Sequence, residues 1–276
     1  MPELPEVEVV RKTLAPLLVD SKIVNVKIFL NKIIKDPDVL KFKSKILNQT
    51  FREVRRKAKL LIFVLDDDVL LSHLRMEGKY YYKKASESID WKHVLIVFDL
   101  DNGYQLCYHD TRRFGTFHLQ AKEKYQDSKP YINIGPEPWD ELVTTNYLKN
   151  KWKNKKQKVK TALLDQSTIS GLGNIYVDET LFAAKIHPET IVSNLNEQEL
   201  ESIIKNAIKI LELSVQLGGS TIATYTSSLG VSGTFQNHLQ VHTRANQTCF
   251  VCLNKIQKIK VNNRGTYFCA HCQIKK

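Results

Sequence analysis

Two cysteine pairs near the end of the chain place the strongest constraint on its fold. The pairs are Cys249-x2-Cys252 and Cys269-x2-Cys272, and 16 residues separate them. Two CxxC turns at this spacing can deliver four thiolates to one tetrahedral Zn(II) ion. The intervening residues alternate in polarity, which predicts a β-hairpin with its turn at Asn262-Asn263. We therefore predict a finger that holds one structural zinc ion, with disulfides as the alternative.

The charge of the chain indicates what kind of partner it has. There are 41 Lys and Arg residues against 29 Asp and Glu, which gives a formal net charge of +12. No acidic side chain follows Glu212, whereas seven cations do: Arg244, Lys255, Lys258, Lys260, Arg264, Lys275 and Lys276. A basic segment of this kind is typical of nucleic-acid binding, and a solubilising surface is the alternative. Because this segment contains the predicted finger, we favour a nucleic acid as the partner.

The spacing of apolar residues predicts where helices and strands lie. Apolar side chains recur at helical spacing over residues 4–18, whereas residues 22–120 contain short apolar or alternating runs typical of strands. Turn sequences at residues 66–68 and at Asn102-Gly103 predict antiparallel hairpins. Helical spacing returns over residues 141–217, after a proline-rich stretch near 130–138. We predict an α+β protein, in which one N-terminal helix and an antiparallel β-sandwich or barrel precede a helical region with the finger.

The first residues combine a proline with two glutamates one helical turn apart. Glu3 and Glu6 share a helix face directly after Pro2. In one interpretation they only stabilise a helix N-terminus through the macrodipole. In the other, removal of Met1 leaves Pro2 as a secondary amine, and an α-amine has an ordinary pKa of about 8, well below that of lysine. Such an amine is a good nucleophile for a carbonyl or a masked aldehyde.

The sequence lacks the features of membrane and secreted proteins. No window contains the roughly 18 uncharged apolar residues that a membrane-spanning helix needs. The N-terminus carries glutamates where a secretory signal carries lysine or arginine. We therefore expect a cytoplasmic protein. Cys107 stands alone in a strand-like run, and we expect it to be a small core residue.

Seven segments together resemble a known family of DNA-repair enzymes. They are MPELPEVE at 1–8, SHLRMEGKY at 72–80, DTRRFG at 110–115, KTALLDQ at 160–166, GLGNIYVDE at 171–179, GGST at 218–221 and RGTYFCAHCQ at 264–273. In content and order they resemble the bacterial formamidopyrimidine-DNA glycosylases, over the whole chain. The resemblance implies a catalytic β-sandwich domain over 1–130, a helix-two-turns-helix DNA-binding domain over 131–240 and a four-cysteine zinc-ribbon finger over 241–276.

The resemblance also implies a reaction. The enzyme would remove 8-oxoguanine and formamidopyrimidines from duplex DNA and then cleave the abasic site. Pro2 would attack C1′ of the damaged nucleotide to form a Schiff base, and β- and δ-elimination would follow. Glu3 matches the general acid for the sugar ring oxygen, and Glu6 matches its hydrogen-bonding partner. Lys59 matches a lysine that contacts phosphate beside the lesion, with Lys57 as the rival for this role.

Four further matches imply contacts with the DNA backbone. His73, Asn174 and Arg264 match residues that bind phosphates around the flipped nucleotide. Asn174 begins a predicted helix, whose backbone N–H groups suit a phosphate. Lys160 opens the helix before it, and we predict that Lys160 also contacts a phosphate directly. The partner is therefore double-stranded DNA that contains oxidised bases or abasic sites, and we expect a monomer that associates with the bacterial nucleoid.

Three side chains match those that fill the space left by the extruded base. They are Met76, Arg112 and Phe114. Enzymes that act on a base must take it out of the stack, and inserted side chains replace it there. For Met76 and Phe114 the alternative is a place in the core of the sandwich. Three more residues match positions that contact the damaged base itself, namely Glu77, Thr221 and Tyr225.

The chain departs from the family pattern at two places, and two other functions compete. Thr111 stands where proline is common, and VHTRANQTC at 241–249 replaces the usual Val-Tyr-Gly-Arg sequence ahead of the first finger cysteine. Both departures concern turn geometry. The first competing function is that of the related endonuclease VIII class, which acts on oxidised pyrimidines. The second is a zinc-finger DNA-binding protein without catalysis, against which Pro2 and Glu3 argue.

Overall fold

The computed structural model describes residues 2–88, 90–220 and 233–275. The chain forms two compact units. The first comprises Met1–Asn133 and Gly218–Gly233, and the second comprises Ile134–Leu217 and Thr234–Lys276. In the described part of the chain, no helix combines the length and apolar character that crossing a bilayer requires.

The first unit begins with helix α1 at Leu4–Leu18. A proline early in the helix suits its first turn, where backbone N–H groups have no partner inside the helix. The N-cap is Glu3, and it forms a capping box with Glu6, in which each side chain accepts a backbone N–H of the other residue. The apolar stripe predicted from the sequence is buried at Leu4, Val7, Val10, Leu14 and Leu18.

Within the ranges that the structure describes, nine strands follow α1 and form two sheets. In chain order they are β1 (Ile23–Ile28), β2 (Ile34–Asp36), β3 (Glu53–Lys57), β4 (Leu60–Val64), β5 (Asp68–His73), β6 (Lys79–Lys84), β7 (Val94–Leu100), β8 (Tyr104–His109) and β9 (Thr116–Ala121). The four-stranded sheet has the order β1-β7-β8-β6, and the five-stranded sheet has the order β2-β9-β5-β4-β3. Side chains from both sheets and from α1 form one buried apolar cluster. The predicted β-sandwich behind an N-terminal helix is confirmed.

Two details of this unit differ from a simple antiparallel arrangement. Strand β2 pairs with β9 in parallel, whereas the other strand pairs of both sheets are antiparallel. A short helix, α2 at Val39–Ile46, lies within the stretch where only strands were predicted. Asp38 caps α2 by accepting the N–H groups of Leu40 and Lys41, and Phe42 and Ile46 are buried. The hairpin predicted at Asn102-Gly103 joins β7 to β8, and Gly103 has a φ of 80°.

The second unit contains four helices and the finger hairpin. The helices are α3 (Thr145–Trp152), α4 (Val159–Leu163), α5 (Asn174–Ala183) and α6 (Glu197–Gln216). Strands β10 (Gln257–Val261) and β11 (Arg264–Phe268) pair as an antiparallel hairpin. Its turn residues Asn262 and Asn263 have φ angles of 45° and 61°, which asparagine tolerates better than most residues. Helix α5 contacts both α6 and β11, so it lies between the helical layer and the finger.

Candidate active site

The predicted catalytic residues of the N-terminus form a compact, buried group. Pro2 and Glu3 precede the first turn of α1, and Glu3 and Glu6 are only 2% and 4% exposed. The backbone N–H of Glu3 donates to Glu6 Oε2 over 2.8 Å. The capping box therefore holds both carboxylates at the helix start, beside the residue that becomes N-terminal when Met1 is removed.

Glu6 also fixes the segment that follows α6. Its Oε1 accepts the backbone N–H of Ser220 over 2.7 Å. Gly219 has a φ of 81°, and a Cβ on it would lie 3.0 Å from Glu6 Oε1. Only glycine can adopt this positive φ and also leave room for the Glu6 carboxylate without strain. Thr221 and Tyr225, which the resemblance places at the damaged base, lie outside the described residues.

Lys59 and His73 lie close together on neighbouring strands. Lys59 directly precedes β4, where Leu60 pairs with His73 at the end of β5. Lys59 is buried and Lys57 is half-buried. The charge of Lys59 is also close enough to His73 to affect its pKa. This proximity of two predicted phosphate-binding residues favours Lys59 over Lys57.

The imidazole of His73 is held in its neutral form. Burial, together with the charges of Arg75 and Lys59, lowers the pKa of His73 to about 3. Its Nδ1 accepts the backbone N–H of Arg75 over 3.0 Å, so the proton of the neutral ring resides on Nε2. A neutral Nε2–H group is a suitable hydrogen-bond donor for a phosphate oxygen.

Arg112 and Phe114 lie on an exposed loop between β8 and β9. The carboxylate of Asp110, which is fully buried, accepts the N–H groups of Arg112, Phe114 and Gly115 over 2.8–2.9 Å. The Phe114 ring is 51% exposed, and the Arg112 guanidinium lies 5.0 Å from its centroid. Met76 is half-buried in the turn between β5 and β6. A core position is thus excluded for Phe114. The sequence analysis did not select Asp110, although it begins the DTRRFG segment.

In the second unit, Lys160 occupies a different environment from the one predicted. Its side chain is fully buried, and Nζ donates to Asp178 Oδ1 over 2.7 Å and to the carbonyl of Gly265 over 3.0 Å. A direct phosphate contact conflicts with this burial, because the Lys160 side chain has no solvent-accessible surface. Asn174 Nδ2 donates to the same Gly265 carbonyl over 3.1 Å. Lys160 and Asn174 therefore hold the finger hairpin at Gly265. The preceding residue, Arg264, is exposed.

Two consecutive acidic residues on α5, Asp178 and Glu179, also help to hold the finger in place. The sequence analysis did not select them. Asp178 Oδ2 lies 2.8 Å from His242 Nδ1 and accepts the Tyr267 N–H over 3.2 Å. Glu179 accepts the backbone N–H groups of residues 240–242. Burial raises the pKa of Glu179, and these three hydrogen bonds oppose the shift. The available signal was the adjacent pair of acids in the otherwise apolar GLGNIYVDE segment.

The four finger cysteines have the geometry of a zinc site. Their sulfur atoms all lie within 4.8 Å of one another. The Cys249–Cys272 and Cys252–Cys269 pairs of sulfurs are 4.0 and 3.4 Å apart. Four sulfurs at about 2.3 Å from a tetrahedral zinc ion lie roughly 3.8 Å apart, whereas a disulfide requires about 2.05 Å. The cysteines are free, which excludes the disulfide alternative and fits one structural zinc ion.

One thiol of this cluster is prepared for deprotonation. A hydrogen bond from the backbone of Asn254, with smaller contributions from its side-chain amide and from the neighbouring cysteines, lowers the pKa of Cys252 to about 6. Burial raises the pKa values of Cys269 and Cys272. Zinc binds thiolates, so its binding displaces protons from any protonated thiols, and this makes metal affinity pH-dependent. Cys107 is a buried residue of the four-stranded sheet, and burial raises its pKa to about 11.

Comparison with known proteins defines the class to which this architecture belongs. Three family models match in order: the formamidopyrimidine-DNA glycosylase N-terminal domain over residues 1–117, the formamidopyrimidine-DNA glycosylase H2TH domain over residues 134–226, and the zinc finger found in FPG and IleRS over residues 246–274. A β-sandwich, a helix-two-turns-helix domain and a four-cysteine finger in this order are the parts of a DNA glycosylase.

Full-length relatives narrow this class to one family. The formamidopyrimidine-DNA glycosylases of Mycoplasma mobile and Bacillus subtilis are 45% and 44% identical to the chain, with 99–100% of both partners covered. A Lactococcus lactis FPG mutant bound to DNA that contains Fapy-dG matches with a TM-score of 0.93 and 38% identity, over 99% of this chain and 100% of that one. The wild-type Lactococcus lactis protein, bound to DNA with an oxidised pyrimidine, matches with a TM-score of 0.92 and 38% identity, over the same shares of both chains. The chain belongs to the formamidopyrimidine-DNA glycosylase family.

Proposed function

We propose that this enzyme excises oxidised purines from duplex DNA and then cleaves the strand at the abasic site. The observation that carries the proposal is the position of Pro2 beside two buried carboxylates, at the capped start of α1. A secondary amine next to a general acid is the arrangement that glycosidic bond cleavage through a Schiff base needs.

In the proposed reaction the nitrogen of Pro2 attacks C1′, the bond from C1′ to the base breaks, and the proton that the Pro2 nitrogen loses balances the one that the departing base gains. The carboxyl group of Glu3 donates a proton to the sugar ring oxygen, which opens the ring and leaves an iminium ion at C1′. The iminium acidifies the C2′ protons. Loss of a C2′ proton breaks the C3′–O bond, and a further elimination breaks the C5′–O bond. Glu6 positions Glu3 through the capping box.

The remaining residues contribute to DNA binding in this proposal. His73 and Lys59 in the first unit contact phosphates, as do Asn174 and Arg264 in the second. Met76, Arg112 and Phe114 fill the space of the extruded base, while Glu77, Thr221 and Tyr225 contact the base. Lys160 acts indirectly, because its buried ammonium holds the hairpin that presents Arg264. The zinc ion is structural, since four thiolates leave no open coordination position.

Oxidised pyrimidines are a second substrate class with specific support. The Lactococcus lactis relative has been solved with DNA that contains an oxidised pyrimidine as well as with Fapy-dG. We propose that purines are the preferred class, because Leu4 in the PELPE start and the Met76, Arg112 and Phe114 set match the purine-specific pattern.

Borohydride trapping tests the nucleophile and the substrate class together. Enzyme would be incubated with duplexes carrying 8-oxoguanine or thymine glycol in the presence of borohydride, after mass spectrometry confirms removal of Met1. We expect covalent trapping on both, faster on 8-oxoguanine, and severe loss for Pro2→Gly. A matched protein with an uncleaved tag ahead of Pro2 serves as the control. Trapping at the full rate by the tagged protein would exclude the N-terminal amine.

We also propose the three-domain division at 1–130, 131–240 and 241–276, with a monomer as the active form. The family models support three segments, although their edges differ from this division. A cytoplasmic location at the nucleoid accords with DNA as the substrate. Size-exclusion chromatography with light scattering and fluorescence microscopy of a C-terminal fusion would test the last two proposals.

A further inference from the structure

Two loops of the first unit carry the side chains predicted to enter the DNA, and a hydrogen bond joins them. We call residues 74–78 the Met76 loop and residues 110–115 the Arg112 loop. The hydroxyl group of Thr111 donates to Oε2 of Glu77. Thr111 is exposed and Glu77 is half-buried, so this contact lies near the tips of the loops. Within the described residues, the Glu77 carboxylate forms no ion pair that competes with it.

The two loops also rest on the same buried side chain. Tyr108, at the end of β8, is fully buried. A Cβ on Gly78 would lie 2.2 Å from its Oη, and a Cβ on Gly115 would lie 1.8 Å from it. One glycine from each loop is thus required to make room for the tyrosine. The bases of the loops are therefore fixed relative to each other through Tyr108.

Each loop is also rigid internally. In the Arg112 loop, the buried Asp110 accepts three backbone N–H groups. In the Met76 loop, the Gly78 N–H donates to the Leu74 carbonyl over 3.0 Å, and the Arg75 N–H donates to His73. The Thr111–Glu77 hydrogen bond adds a link between the two loops and opposes a movement of one relative to the other.

We propose that Thr111 is a positioning residue, which through its hydrogen bond to Glu77 makes Met76, Arg112 and Phe114 act as one unit during base extrusion. The proposal rests on the proposed function, because it concerns the step in which the damaged base leaves the stack. In this proposal Thr111 acts through Glu77 and does not touch the DNA.

The test compares Thr111→Val, which keeps the shape and removes the donor, with Thr111→Ser, which keeps the donor. Single-turnover excision of 8-oxoguanine and cleavage of a preformed abasic site would be measured on the same duplex sequence. We expect Thr111→Val to slow excision about 3- to 10-fold, as loss of one solvent-exposed hydrogen bond allows. Abasic-site cleavage should change less than 2-fold, because no base remains to be extruded. Thr111→Ser should restore excision.

A double variant separates this role from a general structural one. In a Glu77→Ala background, Thr111→Val should cause no further loss, because its acceptor is already absent. The proposal is overturned if Thr111→Val excises at the wild-type rate, if both substrates slow equally, or if the two substitutions have multiplicative effects. Unchanged zinc content and melting temperature control for folding. Failure of wild-type enzyme to trap on 8-oxoguanine DNA would instead overturn the proposed function.

Discussion

Buried carboxylates serve different purposes in the two units. At the start of α1, Glu3 and Glu6 are close neighbours in sequence and lie at the proposed reacting group. In the second unit, Asp178 and Glu179 bind groups that are 18 to 89 residues away and hold the finger in place. The first arrangement is local and the second depends on the tertiary fold. Damage to the first should therefore affect chemistry, whereas damage to the second should affect stability and DNA affinity.

The largest effect expected in the second unit is loss of the zinc ion. Cys249→Ser removes one of four thiolates, and structural zinc contributes about 10–16 kcal/mol of binding free energy in finger peptides. We expect loss of about one equivalent of zinc and at least a 100-fold weaker affinity for lesion DNA, measured by metal analysis and fluorescence anisotropy. Cys107→Ser should change neither the zinc content nor the affinity for lesion DNA. Full affinity in a zinc-free variant would show that the finger does not position Arg264.

The next largest effect is expected from breaking the buried ion pair. Lys160→Met leaves the Asp178 carboxylate buried without its cation, and such losses cost about 3–5 kcal/mol. Urea unfolding should show this destabilisation. The double variant Lys160→Met with Asp178→Asn should recover part of it, since no uncompensated charge remains. If Lys160→Met instead keeps full stability, weakens DNA binding and makes that binding less dependent on salt, the lysine contacts phosphate after all.

A smaller effect, confined to one substrate, is expected at Phe114. Extruding a base costs a few kcal/mol, and an inserted ring offsets part of that cost. Phe114→Ala should therefore reduce 8-oxoguanine excision about 10- to 50-fold and reduce abasic-site cleavage much less. Because the ring is 51% exposed, the melting temperature should barely change. Equal losses on both substrates would identify Phe114 as a general DNA-binding residue.

The smallest effect concerns pH and His73. The pKa of this residue falls from 6.5 in the unfolded chain to about 3 in the folded one. Between these values the unfolded chain binds the extra proton, so stability is complete above pH 6.5 and declines as the pH falls toward 3. The slope from one group is at most about 1.4 kcal/mol per pH unit. The free energy of unfolding should fall less between pH 7 and pH 5 for the His73→Gln variant than for the wild-type protein. An equal fall in both proteins would show that His73 titrates normally.

Sequence reasoning succeeded where geometry is local. The CxxC spacing and the Asn262-Asn263 turn predicted the finger hairpin, and Asn102-Gly103 predicted the turn from β7 to β8. In both cases a few adjacent residues determine the backbone conformation. The capping box at Glu3 and Glu6 is local in the same sense.

Sequence reasoning was less informative where distant parts of the chain meet. The burial of Lys160 depends on Asp178 and on the Gly265 carbonyl, 105 residues away, which no local pattern reveals. Helix α2 is short, and its buried apolar residues Phe42 and Ile46 each follow a lysine, so helical spacing was hard to distinguish from strand alternation. The parallel pairing of β2 with β9 likewise depends on strand order.

The contact between Gly219 and Glu6 has an evolutionary consequence. Any side chain at position 219 would press on the Glu6 carboxylate, because even a Cβ would lie within 3.0 Å of Oε1. A shorter acid at position 6 would relieve that contact, yet the positive φ of residue 219 would still penalise the new side chain. A change at position 6 can therefore relieve only the contact, and residue 219, more than 200 residues further along the chain, remains restricted to glycine by its own backbone conformation.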